Sequence, residues 1–251
     1  MLSIQSKITQ TIAPNALQGK TILVTGASDG IGRVVAKSYA KHGASVILHG
    51  RDYAKLQQVQ QEITDTGAIK PIIMPLDLNS KNNQDYQKFS DDLAQQIQQL
   101  DGILHNAGIL GERVDILDYS LDVWDSVMTV NVRSPLLLTQ CLLPLLQRAN
   151  NASVLFASSG VGRAVREQWG AYSLSKIAIE HLSQLLALEN KNAHIRYNCI
   201  NPGATRTAMR ASAFPQEDPM TLTTAEQLLP TYLYLMSDES IAISGESFNA
   251  Q

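Results

Sequence analysis

Several residue types that mark particular protein classes are scarce in this chain. Its 251 residues contain only two cysteines, Cys141 and Cys199, and these form no CxxC pair. The five histidines show no HxH or HxxxH spacing. This pattern argues against a zinc site and against a disulfide framework. We expect no metal, and two buried thiols in a reducing compartment.

An excess of charge and a long apolar run are also missing. Twenty Lys and Arg stand against 23 Asp and Glu, a net charge of -3, and no basic run offers a footprint for a nucleic-acid backbone. The most apolar run, 135–146, is interrupted by Gln140 and Pro144 and is shorter than the roughly 18 residues that span a bilayer. The first twenty residues are too polar for an export signal. We expect no nucleic acid, no membrane and a cytoplasmic location.

What the sequence does have is a regular alternation of strand-like and helix-like segments. With 44% hydrophobic and 17% charged residues, the chain can bury a large core. The predicted strands are 20–25, 45–48, 71–74, 102–105, 153–157, 195–200 and 247–249, and the predicted helices lie before 42 and at 53–66, 82–100, 121–148, 169–189 and 225–236. Such alternation predicts an α/β fold, one doubly wound domain with a parallel sheet and helices on both faces. It would occupy residues 20–251, after a polar N-terminal arm at 1–19.

One segment interrupts this alternation. Residues 207–223 mix Met209, Phe214 and Met220 with two prolines and many polar residues, directly after the last central strand. Loops of this length inside a compact domain are usually functional. We expect this segment to be a substrate lid.

A glycine-rich string lies between the first predicted strand and its helix. Residues 25–32 read TGASDGIG. Glycines there let the backbone approach a phosphate, and the N-terminus of the following helix offers free N–H groups. The string predicts a pyrophosphate site for a dinucleotide. The alternative is a tight turn whose glycines serve packing only.

The end of the second strand bears on the choice of cofactor. A fold that binds plain NAD usually places an acid here to hold the ribose 2′-OH, whereas arginine accommodates a 2′-phosphate. Gly50 stands where that acid is expected and Arg51 follows it. This favours NADP(H) over NAD(H). Arg51 as a solvated residue at a helix start is the alternative, and Asp29 weakens the preference because a basic residue there would help bind the phosphate.

Polar residues also follow two other strands. Asp77 and Leu78 come after the third, and Asn106, Ala107 and Gly108 come after the fourth. Both groups would lie at the carboxyl edge of the sheet, where open α/β sheets bind ligands. A local Asx turn explains either group equally well.

Tyr172 and Lys176 are four residues apart in a helical stretch and therefore share a face. Ser159 ends the preceding strand, so its hydroxyl and the phenol could converge. A tyrosine with a pKa of about 10 is a poor proton shuttle at neutral pH unless a nearby ammonium favours its phenolate. Lys176 can supply that charge.

Asn131 lies in a long apolar helix with Pro135 four residues later. Proline has no N–H, so the Asn131 carbonyl loses its helical partner and the helix should bend there. A buried free carbonyl attracts water. The alternative is a kink that serves only packing.

Taken together, these motifs resemble those of the short-chain dehydrogenase/reductase family, over residues 20–249. The resemblance rests on TGxxxGIG at 25–32, NAG at 106–108, Asn131, Ser159, YxxxK at 172–176, and Pro202-Gly203 with Thr207. It implies a Rossmann-type domain that binds NAD(P)(H) and exchanges a hydride with a small carbonyl or alcohol substrate.

The resemblance also implies roles for residues. Tyr172 would be the general acid/base, Ser159 would hydrogen-bond the substrate oxygen, and Lys176 would lower the tyrosine pKa and bind the nicotinamide ribose. Asn131 would hold a water of the proton relay. The cofactor would contact Gly26, Ser28, Gly30, Ile31 and Gly32 at the pyrophosphate and adenosine ribose, Asp77 and Leu78 at the adenine, Asn106, Ala107 and Gly108 at the ribose, and Pro202, Gly203 and Thr207 at the carboxamide.

Two features depart from the family pattern. His105 stands where a second asparagine is common, and the residues before Gln251 lack a glycine-rich end. Relatives associate through the long helices around the fifth strand, so a homo-oligomer, dimer or tetramer, is expected, with an internal core helix at 136–146 as the alternative.

Two other functions remain open from the sequence. A regulatory or scaffold protein of this fold would bind cofactor with little or no turnover, although it would have no use for a tuned phenol. A nucleotide-sugar epimerase or dehydratase also uses YxxxK, but those enzymes usually carry a GxxGxxG turn and a longer substrate domain.

Overall fold

The computed structural model describes residues 4–190 and 194–251, and the strands in these ranges form one parallel sheet of eight. They are β1 (Ile4–Gln5), β2 (Thr21–Thr25), β3 (Ser45–Gly50), β4 (Ile72–Pro75), β5 (Gly102–His105), β6 (Ala152–Ala157), β7 (Ile195–Asn201) and β8 (Ser247–Asn249). Their order across the sheet is β1-β8-β7-β6-β5-β2-β3-β4. This topology confirms the predicted doubly wound Rossmann-type α/β fold.

Helices connect the strands and cover the sheet. They are α1 (Gly30–Lys41), α2 (Tyr53–Thr64), α3 (Asn83–Ala94), α4 (Leu121–Met128), α5 (Ser134–Leu146), α6 (Gly170–Glu189), α7 (Ala208–Ala213) and α8 (Leu229–Met236). Side chains of Asp29, Asp52 and Asn82 cap the first three by accepting backbone N–H bonds. Across the described ranges, no helix combines the length and apolar character needed to cross a membrane.

Both faces of the sheet are buried under helices. Successive strand residues point to opposite sides and therefore join different layers. In β2, Leu23 packs with the layer formed by α3, α5 and α6. Its neighbours Ile22 and Val24 pack against α1, α2 and α8. The same division separates Ile47 from Leu48 in β3. The core therefore consists of two layers that hold the strand ends rigidly.

The order of the strands reverses between β2 and β5. Val24 of β2 pairs with Leu104 of β5, and Val24 also pairs with Leu48 of β3. The connections after β2 and β5 leave to different sides, which opens a crevice at their carboxyl ends. Ligands of open α/β sheets bind in such crevices.

The N-terminal segment predicted as a polar arm contributes to the sheet. Strand β1 pairs in parallel with β8. Ile12 and Leu17 are buried in the core. A strand of two residues is too short to stand out as the continuous apolar run that predicts the longer strands.

The helix predicted at 121–148 is divided. A π-helical turn, Thr129–Arg133, separates α4 from α5 and contains Asn131. The Ser134 N–H donates to the Thr129 carbonyl, five residues back. Because Pro135 has no N–H, the hydrogen bonds rearrange around it. The irregularity expected at Asn131 thus takes the form of a wider turn.

The segment 207–223 leaves the sheet and returns close to its start. It contains α7, which the sequence did not predict, and a short 3-10 turn, Pro219–Thr221. Thr205 and Thr223 pair as an isolated bridge, and the Arg206 N–H donates to the Thr223 carbonyl at 2.9 Å. The segment is therefore a closed loop on a common base.

Candidate active site

A cavity of about 800 Å³ lies at the carboxyl edge of the sheet, around the crevice between β2 and β5. Most of the sequence-predicted cofactor residues line it. They are Gly26, Ser28, Gly30, Ile31, Arg51, Asp77, Leu78, Asn106, Ala107, Gly108, Tyr172, Lys176, Pro202 and Thr207. The fold therefore brings together residues from five strand ends.

The glycine turn is shaped by close packing. Gly26 has φ +66°, and a Cβ there would lie 3.0 Å from the Ala107 Cα. Gly32 lies outside the cavity lining. A Cβ at this position would be 2.2 Å from the Gly26 carbonyl oxygen, so a larger residue would not fit. Gly32 therefore has a packing role, because it lets α1 approach the turn, and its pyrophosphate contact stays a prediction.

Thr25, which the sequence analysis did not single out, connects the two sides of the crevice. Its hydroxyl donates to the Leu104 carbonyl at 3.2 Å and accepts the N–H groups of Asn106 and Ala107, each at 3.0 Å. These bonds fix the loop after β5 against the end of β2. The sequence could have indicated this role, because Thr25 is a hydroxyl residue at the end of a buried strand, directly before the glycine turn.

Two cations stand at the rim of the cavity beside α2. Arg51 and Lys55 are exposed and line the cavity, and Lys55 is a residue that the sequence analysis missed. Its signal was a second basic residue in the first turn of the helix that follows Arg51. Asp52, between them, accepts the Lys55 N–H at 3.1 Å and caps the helix. The Asp52 carboxylate is therefore engaged as the cap of α2.

Tyr172 and Lys176 lie side by side at the floor of the cavity. The Lys176 ammonium is 5.4 Å from the centroid of the Tyr172 ring and donates to the Ala157 carbonyl at 2.8 Å. Burial raises the pKa of Tyr172 to about 12, opposed by a hydrogen bond with Ser159. Burial also lowers the pKa of Lys176 to about 8. The sequence led us to expect a lowered tyrosine pKa, but in the protein alone the loss of solvent around the phenol outweighs the hydrogen bond that opposes it.

Asn131 and Ser159 lie outside the cavity lining but contact the residues that form it. The Asn131 amide accepts the Ile109 N–H and donates to the Ile109 carbonyl, both at 2.9 Å. It also donates to the Ser175 hydroxyl at 3.0 Å, which donates to the Tyr172 carbonyl at 2.7 Å. Asn131 therefore joins the π-helical turn, the loop after β5 and the tyrosine turn.

Gly203 also lies outside the lining. Its φ is +71°, and a Cβ there would be 2.4 Å from the Gln251 side chain. The Gln251 amide donates to the Pro202 carbonyl at 2.5 Å. Gly203 thus shapes the loop that presents Pro202, and its contact with the carboxamide stays a prediction.

An aromatic cluster covers the other part of Tyr172. The Trp169 ring lies 5.7 Å from the Tyr172 ring and 5.9 Å from the Phe214 ring, and Val161 completes the contact. Arg163, in contrast, turns away and pairs with the buried Glu180 at 2.8 Å. Phe214 brings the segment 207–223 onto the catalytic tyrosine candidate.

Comparison with known proteins agrees with this geometry. A family model described as short chain dehydrogenase matches residues 20–218. YciK, an oxidoreductase of Escherichia coli strain K12, is 48% identical over 235 residues, which cover 94% of this chain and 93% of YciK. A short chain dehydrogenase from Shigella flexneri 2a strain 301, solved complexed with NADP, has a TM-score of 0.93 at 46% identity over 95% of this chain and 100% of that one. A short chain dehydrogenase from Escherichia coli CFT073, complexed with NADPH, has a TM-score of 0.93 at 48% identity over 96% of this chain and 100% of that one. The chain therefore belongs to the short chain dehydrogenase family.

Proposed function

We propose that this protein is an NADP(H)-dependent oxidoreductase that interconverts a small carbonyl compound and its alcohol. The observation that carries the proposal is that Tyr172 and Lys176 line the same cavity as the glycine turn of 25–32. The relatives from Shigella flexneri and Escherichia coli bind NADP and NADPH, which supports the choice of cofactor.

The cavity fits a dinucleotide in size and in the groups it presents. Its volume lies within the range of about 300–1,000 Å³ usual for ligand sites. The buried Ser158 hydroxyl lines it and has no hydrogen-bond partner among the described residues. Gly26 and Gly30 leave the turn bare for a pyrophosphate, and Arg51 and Lys55 offer charge to a 2′-phosphate. When bound, the cofactor gives or accepts the hydride at its nicotinamide ring.

Tyr172 is the proton donor in this proposal. With a pKa of about 12, its phenol is protonated at neutral pH and ready to give its proton to the carbonyl oxygen as the adjacent carbon gains a hydride. Ser159 donates a hydrogen bond to the same oxygen. The Lys176 ammonium stabilises the phenolate left behind. A water that the Asn131 carbonyl would hold then returns a proton to the phenolate and is itself neutralised from solvent.

The segment 207–223 acts as the substrate lid. Phe214 packs with Trp169, beside Tyr172, so closure of the segment shields the reacting groups. Excluding water strengthens the electrostatic interactions at the tyrosine and protects the proton transfer.

Replacing the tyrosine tests the proposed function. Tyr172→Phe removes only the transferred proton, so we expect turnover of accepted carbonyls to fall about 10²- to 10⁴-fold. Affinity for NADPH, measured by fluorescence titration, should stay at the parent value. Tyr234→Phe on α8, far from the cavity, is the matched control. Parent-rate reduction by Tyr172→Phe would contradict the mechanism.

We also propose that the protein is a homo-oligomer, a dimer or tetramer, joined through α6 and the neighbouring α5. Leu174, Leu185 and Leu188 are 46%, 53% and 61% exposed on one face of α6. An apolar stripe of this kind typically marks an interface. Light scattering should find an oligomer for the parent and a monomer for the double variant Leu185→Glu/Leu188→Glu. A monomeric parent would rule the interface out.

A further inference from the structure

Arg113 is a cation beside the catalytic tyrosine candidate that the mechanism above does not use. It lies on the loop between β5 and α4. Its guanidinium carbon is 4.3 Å from the centroid of the Trp169 ring and 5.2 Å from that of Phe214. Since Trp169 contacts Tyr172, a single aromatic ring separates the guanidinium from the proton donor.

The hydrogen bonds of Arg113 are incomplete. Nη1 donates to the Ala213 carbonyl at 3.3 Å, at the end of α7. Nε is buried and has no hydrogen-bond partner within residues 4–190 and 194–251. Over the same ranges, no carboxylate comes within ion-pair distance of Arg113. A buried donor that lacks a partner destabilises the protein, and a ligand that accepts from it would remove this cost.

Two nearby arginines show what the same edge of the guanidinium does when a carboxylate is present. Arg210 in the lid donates from Nε and Nη2 to the two oxygens of Glu217, both at 2.6 Å. Arg163 donates from Nε to Glu180 at 2.8 Å. Arg113 lacks such a partner although its Nε is buried. Because Trp169 and Phe214 stack near its faces, the in-plane edge is the part left to bind.

We propose that Arg113 binds a carboxylate of the substrate through its Nε edge, and that the protein therefore acts on oxo acids and hydroxy acids. The inference rests on the proposed function, since it places the carboxylate relative to the carbonyl that Tyr172 protonates. Leu110, Val161 and Phe214 around the tyrosine would contact an apolar body between the two groups. Arg113 bonds the Ala213 carbonyl of the lid and its Nε is buried, so the lid has to lift to admit the acid and then closes over it.

The test compares acids with their neutral esters. The parent is assayed with NADPH on a series of oxo acids of increasing chain length, each paired with its methyl ester. We expect kcat/KM to favour the acid at one chain length by about tenfold or more. Arg113→Met keeps the apolar stem and should lower kcat/KM for that acid about 10- to 100-fold while leaving its ester within about threefold. Arg113→Lys should recover part of the activity on the acid.

A lid variant and a binding measurement separate the outcomes. Arg210→Met loosens the lid and should affect acid and ester equally. Equal loss on both substrates in Arg113→Met would show that Arg113 only supports the lid and would overturn the inference. Calorimetric titration of the oxo acids into the NADP⁺ complex needs no turnover. If the parent binds none of them, or Arg113→Met binds them as well as the parent, the inference is wrong. Ester reduction that depends on Tyr172 would leave the proposed function intact.

Discussion

The cofactor side of the cavity is built differently from the region beside Tyr172 where we propose that the substrate binds, which we call the substrate side. On the cofactor side, strand ends and tight turns set the geometry, and Thr25 bonds to the main chain of the facing loop. On the substrate side, loops meet through side chains, as Arg113 does with Trp169 and Phe214. A site formed by main chain tolerates little change in shape, whereas a site formed by loop side chains can be altered for another substrate while the fold stays the same.

The largest effect that this comparison predicts is at Gly32. In Gly32→Ala, the added Cβ would lie 2.2 Å from the Gly26 oxygen and 2.6 Å from the Asn106 amide nitrogen. Helix α1 must then move, and we expect the free energy of unfolding to fall by about 3 kcal/mol or more. Denaturant unfolding measures it. Gly160→Ala is the control, because its Cβ would meet only the Asn201 amide at 3.8 Å. Equal losses of unfolding free energy in the two variants would contradict the claim that tightly packed main chain sets the shape of the cofactor side.

Acid provides the next largest effect, since two buried histidines lie on the cofactor side. Burial lowers the pKa of His49 to about 4 and that of His105 to about 3, from an ordinary 6.5. Above pH 6.5 both are neutral whether or not the chain is folded. Below pH 6.5 the two histidines become protonated in the unfolded chain but stay neutral in the folded protein, so the free energy of unfolding falls as the pH decreases toward 4. At pH 5 each histidine should lower the free energy of unfolding by about 2 kcal/mol.

Unfolding curves between pH 7 and pH 5 measure this loss. His105→Leu should flatten the pH dependence, whereas His181→Gln, at an exposed position on α6, should leave it unchanged. If His181→Gln flattened the curve as much as His105→Leu does, the assignment of the effect to the buried pair would fail.

The smallest effect sharpens the account of the cofactor side. Arg51→Ala should weaken NADPH binding about tenfold, or 1.4 kcal/mol, and leave NADH binding nearly unchanged, because only NADPH carries the 2′-phosphate. Fluorescence titration of both cofactors provides the measurement. Arg148→Ala at the end of α5 is the surface control. Losses of the same size for NADPH and NADH would refute the phosphate contact.

The sequence was most informative where the main chain makes the site. The string 25–32 and the pair Tyr172 and Lys176 could be found because their spacing is short and follows the period of a turn or a helix. Short continuous apolar runs likewise revealed the longer strands. Pro135 located the irregular turn near Asn131, although it did not reveal its π-helical form.

The substrate side could not be predicted in the same way. Arg113, Trp169 and Phe214 meet only after folding, and no periodic pattern connects positions so far apart in the chain. The pKa of Tyr172 was also hidden, because the sequence shows the neighbouring charge of Lys176 but not the loss of solvent around the phenol. Strand β1 and helix α7 were missed because both are short.

The base of the segment 207–223 has one more consequence. The Thr205–Thr223 bridge holds its two ends together, and the Gln251 side chain bonds both Pro202 and Thr223. A loop whose ends are already joined loses its closure entropy once, when the chain folds. In the lid that we propose, each closure would then be a rotation of a preformed flap about this hinge, and no part of the flap would have to be ordered anew when a substrate arrives.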